Sequence, residues 1–141
     1  MTGVIVVGVD GSETARKAAE SARDLALALG TGLHVVTAFD GEGTVVFGTG
    51  SDQRVVTHEE NAERTARDAA VELSSPDLKI AYSAVQGTPA QALIDQAEKH
   101  NARMIVVGNK RMQGLARVLG SVANSVAHHA PCDVYVAKTA S

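Results

Sequence analysis

Residues suited to ligand chemistry concentrate in one stretch, VVGNKRMQGLARVLGSV, from Val106 to Val122. An apolar run leads into Gly108, a loop containing Gly114 follows, and Gly120 precedes a helical pattern. Glycine lets the backbone turn sharply and approach a ligand, and the amides of a helix's first turn attract anions. The stretch is therefore interpreted as a phosphate cradle. The alternative is an ordinary strand-to-helix turn, which also tolerates glycine.

A second candidate follows the first apolar run, GVIVVGV, which ends at Val9. Asp10, Gly11 and Ser12 come directly after it, and Ser12 is a suitable helix N-cap. The Asp10 carboxylate is expected to accept a hydrogen bond from an adenine amino group or a sugar hydroxyl. An Asx-turn beside Ser12 is an equally good interpretation of the same residue.

The elements that position these two stretches alternate along the chain, strand and helix in turn. Apolar runs predict five strands, and helical spacing of alanine and leucine predicts four helices. The strands are expected at Gly3–Val9, Leu33–Phe39, Leu78–Val85, Met104–Val107 and Asp133–Lys138. The helices are expected from the Ser12 cap to Gly30, from Thr57 to about Ser74, from Pro89 through at least Ala97, and from about Ser121 to His129. Such alternation predicts a parallel sheet with helices on both faces and a ligand crevice where the winding reverses. The first strand end and Val107-Gly108-Asn109 should face that crevice.

Helix starts and the longest connection carry further signals. Thr57 with Glu60, and Thr88 with Gln91, have the spacing of capping boxes. Ser12 and Ser121 are interpreted as helix caps, not as nucleophiles, because neither has a recognisable base around it. The segment Asp40 to Val56 is glycine-rich without helical period, which predicts an irregular loop forming a mobile flap over a binding site.

Length and composition restrict the function classes. The chain has 141 residues, a net charge of -3 and 3% aromatic residues. One domain, 1–141, is expected, and DNA or RNA binding is disfavoured because basic and base-stacking surfaces are lacking. The apolar N-terminal run is too short for a membrane span or a signal sequence, so a cytoplasmic location without membrane attachment is expected.

Other reactive side chains have structural interpretations. Cys132 is expected to be a small buried residue, since a lone cysteine forms no internal disulfide. His128 and His129 are adjacent on a helix and point about 100° apart, so they make a poor metal chelate. His34 lies within a strand as a core or dimer-contact residue. No protein metal site and no efficient catalysis are expected; at most, slow ATP hydrolysis would occur.

The segments VIVVGVDGS, GLHVVTAF, VVGN and LGSVANSVAHHAPCDVYVAK together resemble the universal stress protein family, over the full length of the chain. The resemblance implies a single-domain, open, parallel five-stranded sheet of order 3-2-1-4-5, of the adenine nucleotide alpha hydrolase-like type. It also implies a homodimer, often formed through the last strands. Val134 to Ala137 give that pairing an independent basis, because they form an apolar edge with little charge.

One branch of the family binds ATP through Gly-x2-Gly-x9-Gly-Ser/Thr. Gly108 matches the first glycine, and Gly120 with Ser121 matches the end. Arg111 occupies the position of the second glycine, and the spacing is one residue shorter. Arg111 and Lys110 are suited to contact phosphate instead. Their alternative interpretation is a solvated basic loop.

These considerations predict an adenine nucleotide, ATP or alternatively AMP or ADP, with any Mg²⁺ held mainly by phosphate oxygens. The protein would act as a cytoplasmic, dimeric stress-response regulator. The alternative is a nucleotide-free dimeric interaction protein whose shortened loop no longer admits ATP. The predicted binding residues are Gly8, Val9, Asp10, Gly11, Ser12, Ala38, Phe39, Val107, Gly108, Asn109, Arg111, Gly114, Gly120, Ser121 and Val122.

Overall fold

The computed structural model describes residues 3–41, 43–48, 50–109 and 119–139. Two predicted site residues, Arg111 and Gly114, lie outside these ranges. The strands are β1 (Val4–Gly8), β2 (Gly32–Phe39), β3 (Thr44–Phe47), β4 (Arg54–Thr57), β5 (Ile80–Gln86), β6 (Met104–Asn109) and β7 (Asp133–Lys138). The helices are α1 (Glu13–Leu29), α2 (His58–Leu73), α3 (Pro89–Lys99) and α4 (Ser121–His129), with one 3-10 turn at Gly50–Asp52.

Five parallel strands form the central sheet in the order β5-β2-β1-β6-β7. Counting only these five along the chain gives 3-2-1-4-5, which confirms the predicted topology. The central strand is buried on both faces: Ile5, Val6 and Val7 are each 0% exposed. Helices α1 and α2 cover one face, and α3 and α4 cover the other. The continuous β-branched run of β1 is therefore explained by two-sided burial.

An alanine stripe brings α1 close to the sheet. Ala18, Ala22 and Ala26 are almost completely buried. A Cβ placed on Gly108 of β6 would lie 3.1 Å from both the Ala18 Cβ and the Thr14 carbonyl oxygen. Gly108 is therefore needed for helix-sheet packing, whether or not a ligand is present, because a side chain would push α1 away.

The first three helices are capped by their own sequence. The Ser12, Thr57 and Thr88 hydroxyls accept hydrogen bonds from the amides three residues later. The Thr57 capping box is confirmed, since Glu60 Oε1 accepts from the Thr57 amide at 2.9 Å. The second predicted box is wrong: the Gln91 side chain donates to the Asp95 carboxylate, one turn further along the helix.

The segment Asp40 to Val56 is not an irregular loop, so that prediction is wrong. It contains the antiparallel hairpin β3–β4, in which Val45 pairs with Val56 and Val46 with Val55. Paired β-branched residues favour strand geometry and outweigh the glycines, one of which, Gly48, serves the turn with φ of +85°. The hairpin is held to α2 by Arg64, whose guanidinium carbon lies 4.4 Å from the centre of the Phe47 ring.

Candidate functional site

A cleft of about 200 Å³ lies at the carboxyl ends of β1, β2 and β6, where the strand order reverses. Its walls come from these strand ends, the start of α1, the first turns of α3 and the start of α4. They are formed by Gly8, Val9, Asp10, Ser12, Thr14, Ala15, Val36, Ala38, Pro89, Leu93, Val106, Val107, Gly108 and Val122. The structure thus brings together residues from both stretches that the sequence singled out.

The remaining described site candidates do not line this cleft. Gly11 lines a separate groove between α1 and α2. The Phe39 carbonyl accepts a hydrogen bond from the Gly87 amide at 2.9 Å, so it is engaged with β5. Asn109 is buried, and Gly120 and Ser121 begin α4 next to the wall residue Val122.

The wall also contains residues that sequence reasoning missed. They are Thr14, Ala15, Val36, Pro89, Leu93 and Val106. The helical period identified Leu93 as facing inward. It did not show which strand ends this side chain meets, because that depends on how α3 crosses the sheet.

Asp10 adopts the turn that the sequence left open. Its Oδ1 accepts a hydrogen bond from the Ser12 amide at 2.9 Å, and the Ser12 hydroxyl caps α1. Asp10 is exposed and lies in the cleft wall. Its carboxylate therefore shapes the β1–α1 turn while remaining accessible to a ligand.

The end of β2 presents backbone polar groups to the cleft. The Val36 carbonyl accepts from the Val9 amide at 2.8 Å, so the Val36 polar groups face β1. Alternate residues of a strand direct their amide and carbonyl to the same neighbour, so those of Ala38 also face this side. β1 ends at Gly8, which pairs with Val36 of β2. Ala38 therefore lies two residues beyond the last pair between β1 and β2.

Helix α4 begins differently from the other helices. Its N-cap is Gly120, which supplies no side-chain cap, so the prediction that Ser121 is the cap is wrong. Its first turn holds no acidic residue, whereas α1 begins with Glu13. The Gly120 amide donates to Asn109 Oδ1 at 3.0 Å. The amides of Ser121 and Val122 are then the first of the helix, at the positive end of its dipole.

Other titratable groups lie away from the cleft. Burial, together with nearby His100 and Lys99, lowers the pKa of His34 to about 4. His34 Nε2 lies 2.8 Å from the Ser83 hydroxyl, and its ring centre lies 4.6 Å from that of His100. Burial raises the pKa of the Cys132 thiol. Within the described ranges, no three His, Cys, Asp or Glu side chains are arranged to hold a metal ion.

No helix in the described part of the chain has the length and apolar character needed to cross a membrane. Comparison with known families identifies the chain. Residues 1–138 match the universal stress protein family. The chain belongs to the universal stress protein family.

Individual relatives agree with this assignment. Universal stress protein A homolog 1 of Coxiella burnetii is 31% identical over 92% of this chain and 92% of that protein. The match to universal stress protein Slr1101 of Synechocystis, 38% identical, spans 45% of this chain and 59% of that protein. Some relatives are longer: universal stress protein Rv2005c of Mycobacterium tuberculosis is 33% identical over 95% of this chain, which corresponds to 45% of that protein.

Solved structures show the same fold. A crystal structure of a universal stress protein in complex with cAMP has 28% identity and a TM-score of 0.69, covering 97% of both chains. The Archaeoglobus fulgidus universal stress protein in complex with dAMP has 23% identity and a TM-score of 0.70, covering 95% of this chain and 96% of that one.

Proposed function

We propose that this universal stress protein binds an adenine nucleotide in the cleft at the carboxyl ends of β1, β2 and β6. The observation that carries the proposal is the convergence of three features on one cleft: an apolar interior, the part of β2 that continues past the end of β1, and the start of α4, whose N-cap Gly120 supplies no side-chain cap. The related universal stress protein in complex with cAMP supports an adenine nucleotide as the ligand class.

The base would occupy the apolar part of the cleft. Val36, Leu93 and Val107 provide surfaces against which a flat ring can pack. The Ala38 amide and carbonyl offer a donor and an acceptor side by side, which suits the acceptor N1 and the donor amino group of adenine. Guanine presents the opposite arrangement there, so the same backbone would discriminate against it.

The sugar and phosphate would extend toward the two helix starts. Asp10 is placed to accept from a ribose hydroxyl, since carboxylate oxygens hold this group in many nucleotide sites. The α1 start is less suitable for phosphate, because Ser12 already accepts from the Ala15 amide and Glu13 adds negative charge. Phosphate would therefore lie against the Ser121 and Val122 amides of α4.

We also propose which nucleotide is bound, where the protein acts and in which oligomeric state. The ligand would be ATP, or AMP or ADP, with Mg²⁺ carried by phosphate oxygens when several phosphates are present. The protein would act in the cytoplasm as a dimeric stress-response regulator. Pairing through β7 would cover Tyr135, which is 44% exposed on this edge strand. Light scattering at micromolar concentration tests the dimer, and a monomer would contradict it.

Calorimetric titration with AMP, with ATP and Mg²⁺, and with GTP tests the ligand class. Binding of the adenine nucleotides with little or none of GTP is expected. Ala38→Leu should abolish binding by filling the cleft, whereas Ala81→Leu, on the exposed surface of β5, should bind like the wild type. No heat with any adenine nucleotide at millimolar concentration would contradict the proposal.

A conservative change at Asp10 separates ligand contact from turn formation. Asp10→Asn retains an oxygen for the Ser12 amide but replaces the other carboxylate oxygen by an NH₂ donor. It should keep the stability of the wild type and lose about tenfold in nucleotide affinity, the effect of one good polar contact. Unchanged affinity in Asp10→Asn would show that Asp10 serves the turn alone.

A nucleotide-free interaction protein is the second candidate. It is favoured by the structural roles of both retained motif glycines: Gly108 is needed for packing on α1, and the Gly120 amide is engaged by Asn109. Native mass spectrometry of the purified protein distinguishes the candidates, since a retained adenine nucleotide excludes the second one. Arg111→Gly adds a second test: gained ATP binding supports the interaction protein, and weakened binding makes Arg111 a ligand contact.

A further inference from the structure

Asn109 is a buried polar residue at the end of β6, and only 3% of it is exposed. Its side-chain oxygen accepts a hydrogen bond from the Gly120 amide at 3.0 Å, although eleven positions separate the two residues. A buried side-chain amide requires such partners, because an unsatisfied polar group costs stability. The bond therefore ties the end of a central strand directly to the N-cap of α4.

The hydrogen bond between Asn109 and Gly120 has a counterpart in α2, where both partners belong to the same helix start. In α2 the N-cap amide of Thr57 is bound by Glu60 of the same helix. In α4 the N-cap amide is bound by a side chain from the sheet. The start of α4 is consequently placed relative to β6, whatever the composition of its own first turn.

The position of the start of α4 should affect the binding of a phosphate more than the binding of the adenine ring. The field of a helix N-terminus falls off within its first turn, so a small displacement changes the interaction with phosphate. The adenine-facing groups belong to β2, α3 and the β6 residue Val107, which hold their places through the sheet and the two cores. Moving the start of α4 should leave these groups where they are.

We propose that Asn109 is a positioning residue that holds the first amides of α4 at the phosphate of the bound nucleotide. The proposal rests on the nucleotide site described above. It assigns Asn109 no contact with the ligand: the residue acts through Gly120. It predicts that Asn109 influences nucleotides but not the corresponding nucleoside.

Calorimetric affinities for AMP and adenosine, measured on the full chain, test this role. Asn109→Ala should bind AMP about tenfold more weakly than the wild type, because the helix start is released, and adenosine within about twofold. Asn124→Ala is the matched control: it removes an exposed side-chain amide from the same helix and should change neither affinity. Equal losses for AMP and adenosine, or no loss for either, would overturn the proposal.

Asn109→Asp provides the test if the alanine variant does not fold. Aspartate keeps an oxygen for the Gly120 amide and brings a negative charge beside the proposed phosphate position. It should fold, bind adenosine like the wild type and bind AMP at least about tenfold more weakly. Wild-type affinity for AMP in this variant would overturn the inference. A wild-type protein that binds no AMP would instead refute the proposed function, and the inference with it.

Discussion

The starts of α2 and α4 differ in which residues bind their first backbone amides. Both helices begin with amides that have no partner inside the helix. In α2, Thr57 and Glu60 satisfy two of them reciprocally, through residues three apart in the sequence. In α4, Gly120 offers no side chain, and its N-cap amide donates to the Asn109 side chain of β6. Within the described part of the chain, the first turn of α4 thus keeps amide donors of the kind that Thr57 binds in α2.

The difference separates a structural helix start from one that is suited to bind an anion. The first turn of α2 also carries Glu59 and Glu60, which complement the helix dipole, and α4 has no acidic residue there. The α4 start adjoins the cleft through Val122. Adding a side-chain cap to α4 should therefore lower ligand affinity, and removing the cap of α2 should lower the stability of the protein.

The largest effect is expected from giving α4 a cap of its own. Gly120→Asp suits the extended backbone there, at φ of -67°, although its Cβ would lie 3.3 Å from Asn109 Oδ1, which must shift slightly to admit it. Its carboxylate would accept from the first-turn amides and repel phosphate. AMP affinity should fall by about a hundredfold, while adenosine binding is retained. Asn124→Asp places the same charge one turn further along α4 and should weaken AMP much less. Calorimetry on both variants would refute the comparison if their losses were equal.

A second effect is a loss of stability at acid pH. It concerns the C-terminal end of α3, where the ring of His100 packs against that of His34. The pKa of His34 is lowered to about 4, below its ordinary value of 6.5, mainly by burial. Between these two values the unfolded chain binds a proton that the folded chain does not. Stability is therefore full above pH 6.5 and is lost as the pH falls toward 4. The full shift corresponds to about 3 kcal/mol, and solvent screening at the ring reduces the expected loss to roughly 1–2 kcal/mol.

Urea unfolding at a series of pH values measures this loss. His34→Gln can retain a hydrogen bond to Ser83 and should flatten the profile between pH 6.5 and 4. His128→Gln, at the exposed end of α4, is the control and should leave the profile unchanged. A wild-type profile in His34→Gln would assign the acid sensitivity to other groups.

Removing the local cap of α2 should lower stability without touching ligand binding. Thr57→Ala deletes the hydroxyl that accepts from the Glu60 amide, which should cost about 1 kcal/mol of unfolding free energy. Urea unfolding measures the cost, and calorimetry with AMP should give the wild-type affinity. A weakened affinity would show that the α2 start is coupled to the cleft after all.

The smallest effect is expected from the charge of the α2 capping box. Hydrogen bonds with the backbone and side chain of Thr57 lower the pKa of Glu60. The stabilisation is therefore present above the ordinary carboxyl pKa and is lost as the pH falls through the lowered value. Glu60→Gln should lower the unfolding free energy at neutral pH by less than Thr57→Ala does. NMR titration of the Glu60 carboxyl would contradict the assignment if its pKa were not lowered.

The topology was predictable because it depends on repeating local patterns. The β-branched run of β1, the alanine stripe of α1 and the caps Thr57 and Thr88 each specify an element without reference to the rest of the chain. The hairpin β3–β4 was missed because its valines lie among glycines, and cross-strand pairing with Val55 and Val56 is not visible along the sequence. Whether a short segment among glycines forms a strand depends on the strand with which it pairs.

The lining of the cleft was predictable in part for the same reason. Asp10 and Ala38 follow from strand ends, which a parallel sheet necessarily brings to one edge. Pro89 and Leu93 could not be assigned to the cleft, because the crossing of α3 over the sheet is set by side-chain packing between elements. The roles of Gly108 and Asn109 also changed once their neighbours were known.

The sequence by itself therefore determined the family, the order of the elements and the crevice at the carboxyl ends of the strands. Local spacing and strand alternation contain that information. Tertiary structure alone decided that Gly108 packs against α1 and that Asn109 holds the start of α4. Both facts depend on atoms from distant segments meeting within about 3 Å, a distance set by the packing of whole elements and not by any local pattern.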